Sequence, residues 1–586
     1  MKTVRLKPIS YLLAASLFIF GCQEQPSTKN DPTDKQASSN TEESEVEHVT
    51  RVQSFYGTTL PFASEAVYFL MTDRFVDGDP SNNHVDQGGE FPTFRQPILS
   101  EDGRDAYVGY MGGDFKGIID HADYIKDMGF TSIWLTPIID QPDEAFNGGE
   151  KIEFGGMFKD GGKTGYHGYW GVNFYQVDEH LPSENLSFKQ LTERLENQYQ
   201  IKTVLDVVAN HGSPSFTMKG KQQPKYGQLF DQKGLLVADH NNLHPHELDP
   251  NNPLHQFYNF KPDIMQLSDL NEENPAVLDY LSGAYLHWID QGAHAFRIDT
   301  IKHMPHSFWK RFSDKIREKH PDFFMFAESY SFDANFIAQH TQAENGGISV
   351  LDFPAREAML KVFENPQSDY SQLLSYLHLT NSPYNNPYEL MTFYDNHDMS
   401  RINADANGFI DAHNWLFTSR GIPVIYYGSE IGFMAGTKEH EGNRNYFGVD
   451  NIEKAKTHPI KVNLSKIANI RKNSIALQKG LQINLEFSGN QASFYRVYQH
   501  QGVNQTALVL LNKGDSPARF KLGEFVSAGD WKTAIGEDLE LINGKQITAT
   551  VTPHGVSVYL LDQTNTNPLL IEKMKRLMNK EVDVLH

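Results

Sequence analysis

From Ala66 to Glu430 the chain alternates between short unbroken apolar runs and longer stretches whose apolar residues recur at helical spacing. The runs are AVYFLMTDRF at 66–75, FTSIWLTPI at 130–138, TVLDVVANH at 203–211, AHAFRID at 293–299, FFMFAE at 323–328, SVLDF at 349–353, ELMTFYDNHD at 389–398 and IPVIYYGSE at 422–430. A strand covered on both faces reads as such a run. FKGIIDHADYIKDMG, ENPAVLDYLSGAYLHWIDQ and SFWKRFSDKIREKH read as the intervening helices. Eight strand candidates separated by helices predict an α/β fold, a (β/α)8 TIM barrel, over residues 59–480.

Two segments interrupt the alternation. Residues 140–180 are rich in Gly, Tyr and Asp and read as a long loop after the second strand. Residues 212–268 follow the third strand, lack a helical period and are full of Asn, His, Pro and Gln. They predict an irregular insert subdomain at the rim. From residue 481 the period changes to two, broken by Gly, Asn and Asp, which predicts a C-terminal all-β domain, a β-sandwich, over 481–562. The tail at 563–586 carries Leu570, Met574, Leu577 and Met578 at helical spacing. Its mixed charges favour docking on the protein over lying on a membrane.

Several apolar runs end in, or lead closely into, ionisable residues: DVVANH at 206–211, FRID at 296–299, FAE at 326–328 and NHD at 396–398. Polar residues at the ends of barrel strands mark the catalytic rim. Asp299, Glu328 and Asp398 come together there from distant parts of the sequence. Several acids converging on one site are what glycosidic bond cleavage needs.

Composition narrows the partners. A net charge of −22 argues against nucleic acid, whose phosphates would be repelled, and suits a neutral ligand. The single cysteine, Cys22, rules out an intrachain disulfide. It follows a basic start (Lys2, Arg5, Lys7), an apolar stretch from Ile9 to Phe20, and Gly21. This resembles a bacterial lipoprotein signal over residues 1–21, with Cys22 as the lipid-bearing first residue of an exported, envelope-anchored protein. An ordinary secretory signal with an incidental cysteine is the alternative. Residues 22–58 are polar and read as a tether. Oligomeric state is left open.

The ordered set of motifs, with YHGYW at 166–170, LSDLN at 267–271, RIDTIKH at 297–303 and GIPVIYYGSE at 421–430, resembles the α-amylase family of glycoside hydrolases (family 13). DRFVDGDPSNN at 73–83, GGDFKG at 112–117 and ISVLDFPAREAMLKVF bring it nearest the branch of cyclodextrin glucanotransferases and maltogenic amylases. The resemblance implies Asp299 as nucleophile, Glu328 as general acid/base and Asp398 as the residue that orients the sugar hydroxyls. It implies that Arg297 keeps the nucleophile ionised and aimed. His211 and His397 would hydrogen-bond the sugar on the non-reducing side, Tyr169 would stack on it with His167 beside it, Asp206 would help hold the cluster, and Trp170 would also bind substrate. Lys302 and Tyr330 would line the acceptor side. For Trp170 a place in the core stays open, and Trp134 reads as core. Glu430 and Asp352 match no catalytic position and read as structural.

DGDPSNN places Asp77, Asp79, Asn82 and Asn83 within seven residues, four oxygen donors of the kind a hard cation takes. An Asx-rich turn is the other reading. The resemblance adds the Gly112 carbonyl and Asp114 to a calcium (Ca2+) site. It implies a second site at Asn210, Asp269 and the carbonyl of His303.

The resemblance therefore implies an endo-acting, retaining α-1,4-glucan hydrolase on starch, glycogen or maltodextrins. A glucanotransferase-like transglycosylase is the first alternative. Against it stand Met265, where that branch carries a central aromatic, and the expectation of one β domain where that branch continues into several. Cyclodextrin or pullulan hydrolysis follows. A non-catalytic glycan-binding lipoprotein is disfavoured because all three carboxylates are present.

Overall fold

The computed structural model describes residues 53–156 and 159–579. The expected signal sequence, Cys22 and the tether up to residue 52 lie outside the described residues, as does the tail from residue 580. Eight strands form the central sheet: β1 (Val67–Leu70), β2 (Ser132–Leu135), β3 (Lys202–Val207), β4 (Ala295–Ile298), β5 (Phe324–Ala327), β6 (Ser349–Val350), β7 (Met391–Thr392) and β8 (Ile422–Tyr426). All pairings are parallel, in the order β6-β5-β4-β3-β2-β1-β8-β7. A further parallel bridge from Leu351 to Met391 links β6 to β7 and joins the two edges of the sheet. The fold is the expected TIM barrel.

The unbroken apolar runs have a direct cause. Every residue of β1, β2, β4, β5, β6, β7 and β8 is buried, one side chain facing the barrel interior and the next facing the helices. Aromatic rings fill the interior: Phe69 stacks on Trp134 at 3.8 Å, and Phe326 meets Trp134 edge-on at 5.5 Å. The outer helices bury one face and begin on side-chain caps. Asn274 accepts from Ala276 N at the head of Pro275–Asp290, and Asp405 accepts from Gly408 N at the head of Ala406–Thr418.

The rim segments are irregular because they return on themselves rather than crossing the sheet. Ile139–Asp140 pairs antiparallel with Asn173–Val177 at the two ends of the loop after β2. In the insert after β3, His211–Pro214 pairs with Leu267–Asp269 and Gln228–Phe230 with Leu236–Asp239. The C-terminal strands are β9 (Leu481–Ser488), β10 (Gln491–His500), β11 (Val503–Asn512), β12 (Ala518–Leu522), β13 (Lys532–Ile535), β14 (Glu540–Ile542), β15 (Gln546–Val551) and β16 (Gly555–Leu561). They form an antiparallel sheet β9-β10-β11-β16-β13 and a smaller one, β12-β15-β14. Ile483, Tyr495, Leu508, Leu510, Phe520, Ile547 and Tyr559 make a common core. Leu570, Met574 and Leu577 of the helix Pro568–Met578 belong to that core. Among the described residues no helix is long and apolar enough to cross a membrane.

Buried arginines cap carbonyls that would otherwise be orphaned, and one of them, Arg496, ties this domain to the barrel. Arg496 of β10 donates to Thr418 O at 2.9 Å and to Gly480 O at 3.1 Å. Arg420 donates to Leu377 O at 2.9 Å and pairs with Asp352 at 2.7 Å, both side chains fully enclosed. Asp352 also caps the helix Phe353–Phe363 through Ala355 N at 3.0 Å. Removing one partner of a buried ion pair leaves an uncompensated charge. Asp352→Ala is therefore expected to cost about 3–5 kcal/mol, read as a lower urea midpoint. A loss of under about 1 kcal/mol would contradict a stabilising role for the pair.

Candidate active site

The site is built on the carboxyl ends of β3, β4, β5 and β7, where chain direction brings four separate loops to one mouth. Register does the first part of the work. Arg297 pairs with Asp206 on β3 and with Phe326 on β5, so its guanidinium lies between the neighbouring strand ends. One Nη of Arg297 lies 2.8 Å from both Asp206 Oδ1 and Asp299 Oδ1, and the other lies 3.2 Å from Glu328 Oε2. A single buried cation thus touches three carboxylates. Asp206 is further held by Tyr169 OH at 2.7 Å and Trp134 Nε1 at 3.1 Å.

After Asp299 the chain turns sharply. Thr300 takes φ 50°, a conformation a β-branched residue adopts only under constraint. The turn points Thr300 N at Glu328 Oε2, 3.3 Å away. Burial raises the Glu328 pKa to about 8; the Asp299 and Asp398 charges add to the rise, and Arg297 opposes it. Burial likewise pushes Asp206 up to about 7, against the pull of Arg297.

Asp398 sits at the open side of the cluster, its side chain 28% exposed. His397 Nε2 is 3.2 Å from one of its oxygens and Arg444 donates to the other at 2.7 Å. Arg444 also donates to His397 O at 2.9 Å and pairs with Glu439 at 2.8 Å. Asn443 Nδ2 supports the same turn through Asn396 O at 2.9 Å. Arg444, Glu439 and Asn443 come from the loop after β8, where no periodicity or strand end signalled them.

Three buried imidazoles border the cluster. Burial lowers the pKa of His167, His211 and His397, so all three are neutral near pH 7. Each has a ring nitrogen without a protein partner: His167 Nε2, His211 Nδ1 and His397 Nδ1. Buried polar atoms are rarely left so, and neutral imidazoles suit sugar hydroxyls. Tyr169 stacks on His397 at 5.3 Å, the planes 7° apart. Trp170 is not on the cluster. It meets His167 edge-on at 4.9 Å and packs with Phe146, Met218 and Tyr226 in a separate apolar cluster. Trp134 is core, with its indole N–H on Asp206. Lys302 lies on the rim and donates to Tyr330 O at 3.0 Å. Glu430 is buried between the hydroxyls of Tyr68 and Tyr124, each at 2.7 Å, away from the carboxylate cluster.

The Asx-rich segment divides into two sets. Asp77 Oδ1, Asn82 Oδ1 and Asn83 Oδ1 are buried oxygens without hydrogen-bond partners. Gly112, at φ +95°, closes over part of this set; a Cβ there would lie 2.5 Å from Asn83 Oδ1 and 2.9 Å from Asp77 Oδ2, the oxygen that accepts from Asn83 Nδ2. Unpartnered oxygens under a glycine fit a hard cation. Asp79 and Asp114 are otherwise engaged. Asp79 accepts from Ser81 N and Oγ at 3.1 and 2.6 Å. Asp114 accepts from Gly78 N, Asp79 N, Gly117 N and Asn82 Nδ2. In the second region His211 pairs with Asp269, which sets Asn210 beside the insert. Burial raises Asp269 to about 7, and Asn259 donates to it at 3.1 Å. His303 is tied to the insert through Asp263 at 2.8 Å. Elsewhere among the described residues, Asp178, Glu179 and His180 offer ligand atoms within 4.8 Å of one another. His180 there bonds Asp178 at 2.9 Å.

Residues 69–464 match the family model for the α-amylase catalytic domain. A cyclomaltodextrin glucanotransferase from Klebsiella oxytoca is 29% identical over 545 residues, spanning 84% of this chain and 77% of the relative. The crystal structure of an Anoxybacillus α-amylase superposes with a TM-score of 0.66 at 25% identity, covering 86% of this chain and 99% of that one. A cyclomaltodextrin glucanotransferase with a three-domain ABC distribution superposes with a TM-score of 0.66 at 27% identity, covering 85% and 99%.

Proposed function

The chain belongs to the α-amylase family, and from that premise we propose that it is a retaining hydrolase of α-1,4-glucosidic bonds in starch, glycogen or maltodextrins. The observation that carries the proposal is the division of labour among carboxylates sharing Arg297. Asp299 accepts from the guanidinium at 2.8 Å, which aims its carboxylate. Glu328 is buried enough to hold a proton near neutral pH. One ionised and one protonated carboxyl at a single sugar ring are what retaining cleavage requires, at a separation of about 5–5.5 Å. Their attachment to two nitrogens of one guanidinium supports that short spacing.

In this mechanism Glu328 gives its proton to the glycosidic oxygen while Asp299 attacks the anomeric carbon. The C–O bond to the leaving sugar breaks and a covalent glycosyl-enzyme forms. Glu328, now ionised, takes a proton from water as the water oxygen attacks the same carbon and frees Asp299. Asp398, fixed by Arg444 and His397, would bind the sugar hydroxyls as charge develops on the ring. His167, His211 and His397 would hydrogen-bond the same unit through their free ring nitrogens, with Tyr169 beside it.

The hydrolase reading is preferred over cyclisation because Met265 stands exposed on the insert where an aromatic would guide a cyclising chain. The number of domains does not separate the two, since the three-domain glucanotransferase is covered almost completely. The similarity to glucanotransferases keeps transfer as the second reading. Calcium fits Asp77, Asn82 and Asn83 with the Gly112 carbonyl, where it would pin the loop after β1 to the segment that follows. Asn210, Asp269 and His303 are the second proposed set, between insert and barrel.

Asp299→Asn is expected to lower kcat on soluble starch by more than about a thousandfold with unchanged circular dichroism. The wild type should release linear oligosaccharides of retained configuration; cyclic products would favour transfer, and near wild-type activity in the variant would remove Asp299 as nucleophile. The basic limb of the kcat/KM profile should fall as pH rises through about 8, where Glu328 loses its proton; a flat profile from pH 7 to pH 10 would contradict that role. Chelation should lower the thermal midpoint by several degrees and calcium should restore it, an effect that Asn83→Ala removes; indifference to both would exclude the metal site.

A further inference from the structure

Solvent-exposed aromatic rings are concentrated in one place on this molecule. The chain has 26 Tyr, 38 Phe and 6 Trp, yet among the described residues only the rings of Phe260, Tyr330, Phe332 and Phe336 are exposed. Three of the four fall within eight residues after Glu328, on the loop that leaves β5. Tyr330 is 43% exposed, and Phe332 and Phe336 are each 41% exposed. The fourth, Phe260, lies on the insert, whose Asp263 is tied to His303 of the loop after β4. Lys302 of that same loop bonds Tyr330 O. Tyr330 therefore stands on the rim beside Lys302, two residues after Glu328, with Phe332 packed against it and Phe336 four residues further along the same segment.

The loop is held, not loose. Tyr330 and Phe332 both pack on buried Phe353, at 5.3 and 5.9 Å, and on each other at 6.2 Å. Phe353 is fixed in turn by Phe393, at 5.3 Å. Asp333 caps the short helix Ala334–Ile337 that carries Phe336, through Asn335 N at 2.9 Å. Phe336 rests edge-on to His340 at 6.3 Å, and His340 bonds Ser329 Oγ at 3.2 Å, next to Glu328. Leaving large apolar rings in water opposes the hydrophobic effect, and contiguous exposed apolar surface marks a binding site. A flat ring held rigidly, with polar neighbours, suits the apolar face of a pyranose.

We propose that Phe332 and Phe336 extend Tyr330 into a stacking platform for the reducing-end portion of a long α-glucan, beyond the sugar that leaves with the Glu328 proton. The proposal rests on the glucanase reading above and adds to it a preference for long chains. It assigns Phe332 and Phe336 to specificity, acting on substrate affinity and not on bond cleavage.

The test compares wild type, Phe332→Ala/Phe336→Ala and Phe332→Trp on two substrates. Soluble starch uses the acceptor side; α-maltotriosyl fluoride, whose leaving group is fluoride, does not. The double alanine variant is expected to lose about threefold to tenfold in kcat/KM on starch, chiefly through KM, while its rate on the fluoride stays at the wild-type value. Phe332→Trp should keep the wild-type value on starch. Unchanged kinetics on both substrates would overturn the platform. An equal loss on both would also overturn it, by showing that the rings support the catalytic site itself. If the wild type turns over neither substrate, the glucanase reading fails first and the platform with it.

Discussion

The site depends on one interaction: a fully buried guanidinium, Arg297, shared by Asp206, Asp299 and Glu328. Burial in a dry barrel mouth favours the protonated form of a carboxyl; the cation opposes this at Glu328 and Asp206 without abolishing it, since they stay raised to about 8 and about 7. Arg rather than Lys meets the requirement because its planar fork serves several acceptors from fixed positions and stays charged when buried. Barrel register supplies the placement. Arg297 is paired on one side with β3, which carries Asp206, and on the other with β5, which leads to Glu328. Asp206 takes two further donors, from Tyr169 and Trp134, and so meets the cation from the β3 side.

Around this centre the rim loops are cross-braced by charge. Asp398 is fixed by Arg444, Arg444 by Glu439, and Glu439 by Lys163 at 3.5 Å. Lys163 belongs to the loop after β2 and pairs there with Asp160 at 3.3 Å. Gln266 of the insert donates to Asp160 as well. Loops from β2, β3, β7 and β8 are thus linked through one run of polar contacts that begins at Asp398. The rim after β4 and β5 adds exposed rings, Tyr330 and Phe332, beside Lys302 and the His303–Asp263 pair. A neutral polyhydroxylated ligand with apolar faces suits both: hydrogen bonds to the polar run, stacking on the rings.

Much of this was legible in the chain. Strands covered on both faces give unbroken apolar runs, so even β6 and β7, two residues each, were found through the longer runs around them. The carboxylates were legible because they end those runs. What was not legible came from loops. Arg444 lies 14 residues beyond Glu430 in a segment without period, and only the folded loop brings it to Asp398. Trp170 reads equally as sugar platform or core, and packing against Phe146 and Tyr226 makes it core. In the Asx-rich turn, sequence counts donors but cannot say which remain free. Folding engages Asp79 with Ser81 and Asp114 with four N–H groups, leaving Asp77, Asn82 and Asn83 with unpartnered oxygens. The expectation that one β domain disfavours a glucanotransferase also lost its force, because a three-domain glucanotransferase matches over nearly its whole length.

The proposed covalent step on Asp299 can be observed directly. A 5-fluoroglycosyl fluoride with an α-linked glucosyl donor should inactivate the enzyme, and mass spectrometry of the peptides should then find one added glycosyl group on Asp299. A label on Glu328 or Asp398, or a stable adduct on no carboxylate while the wild type turns over starch, would contradict it.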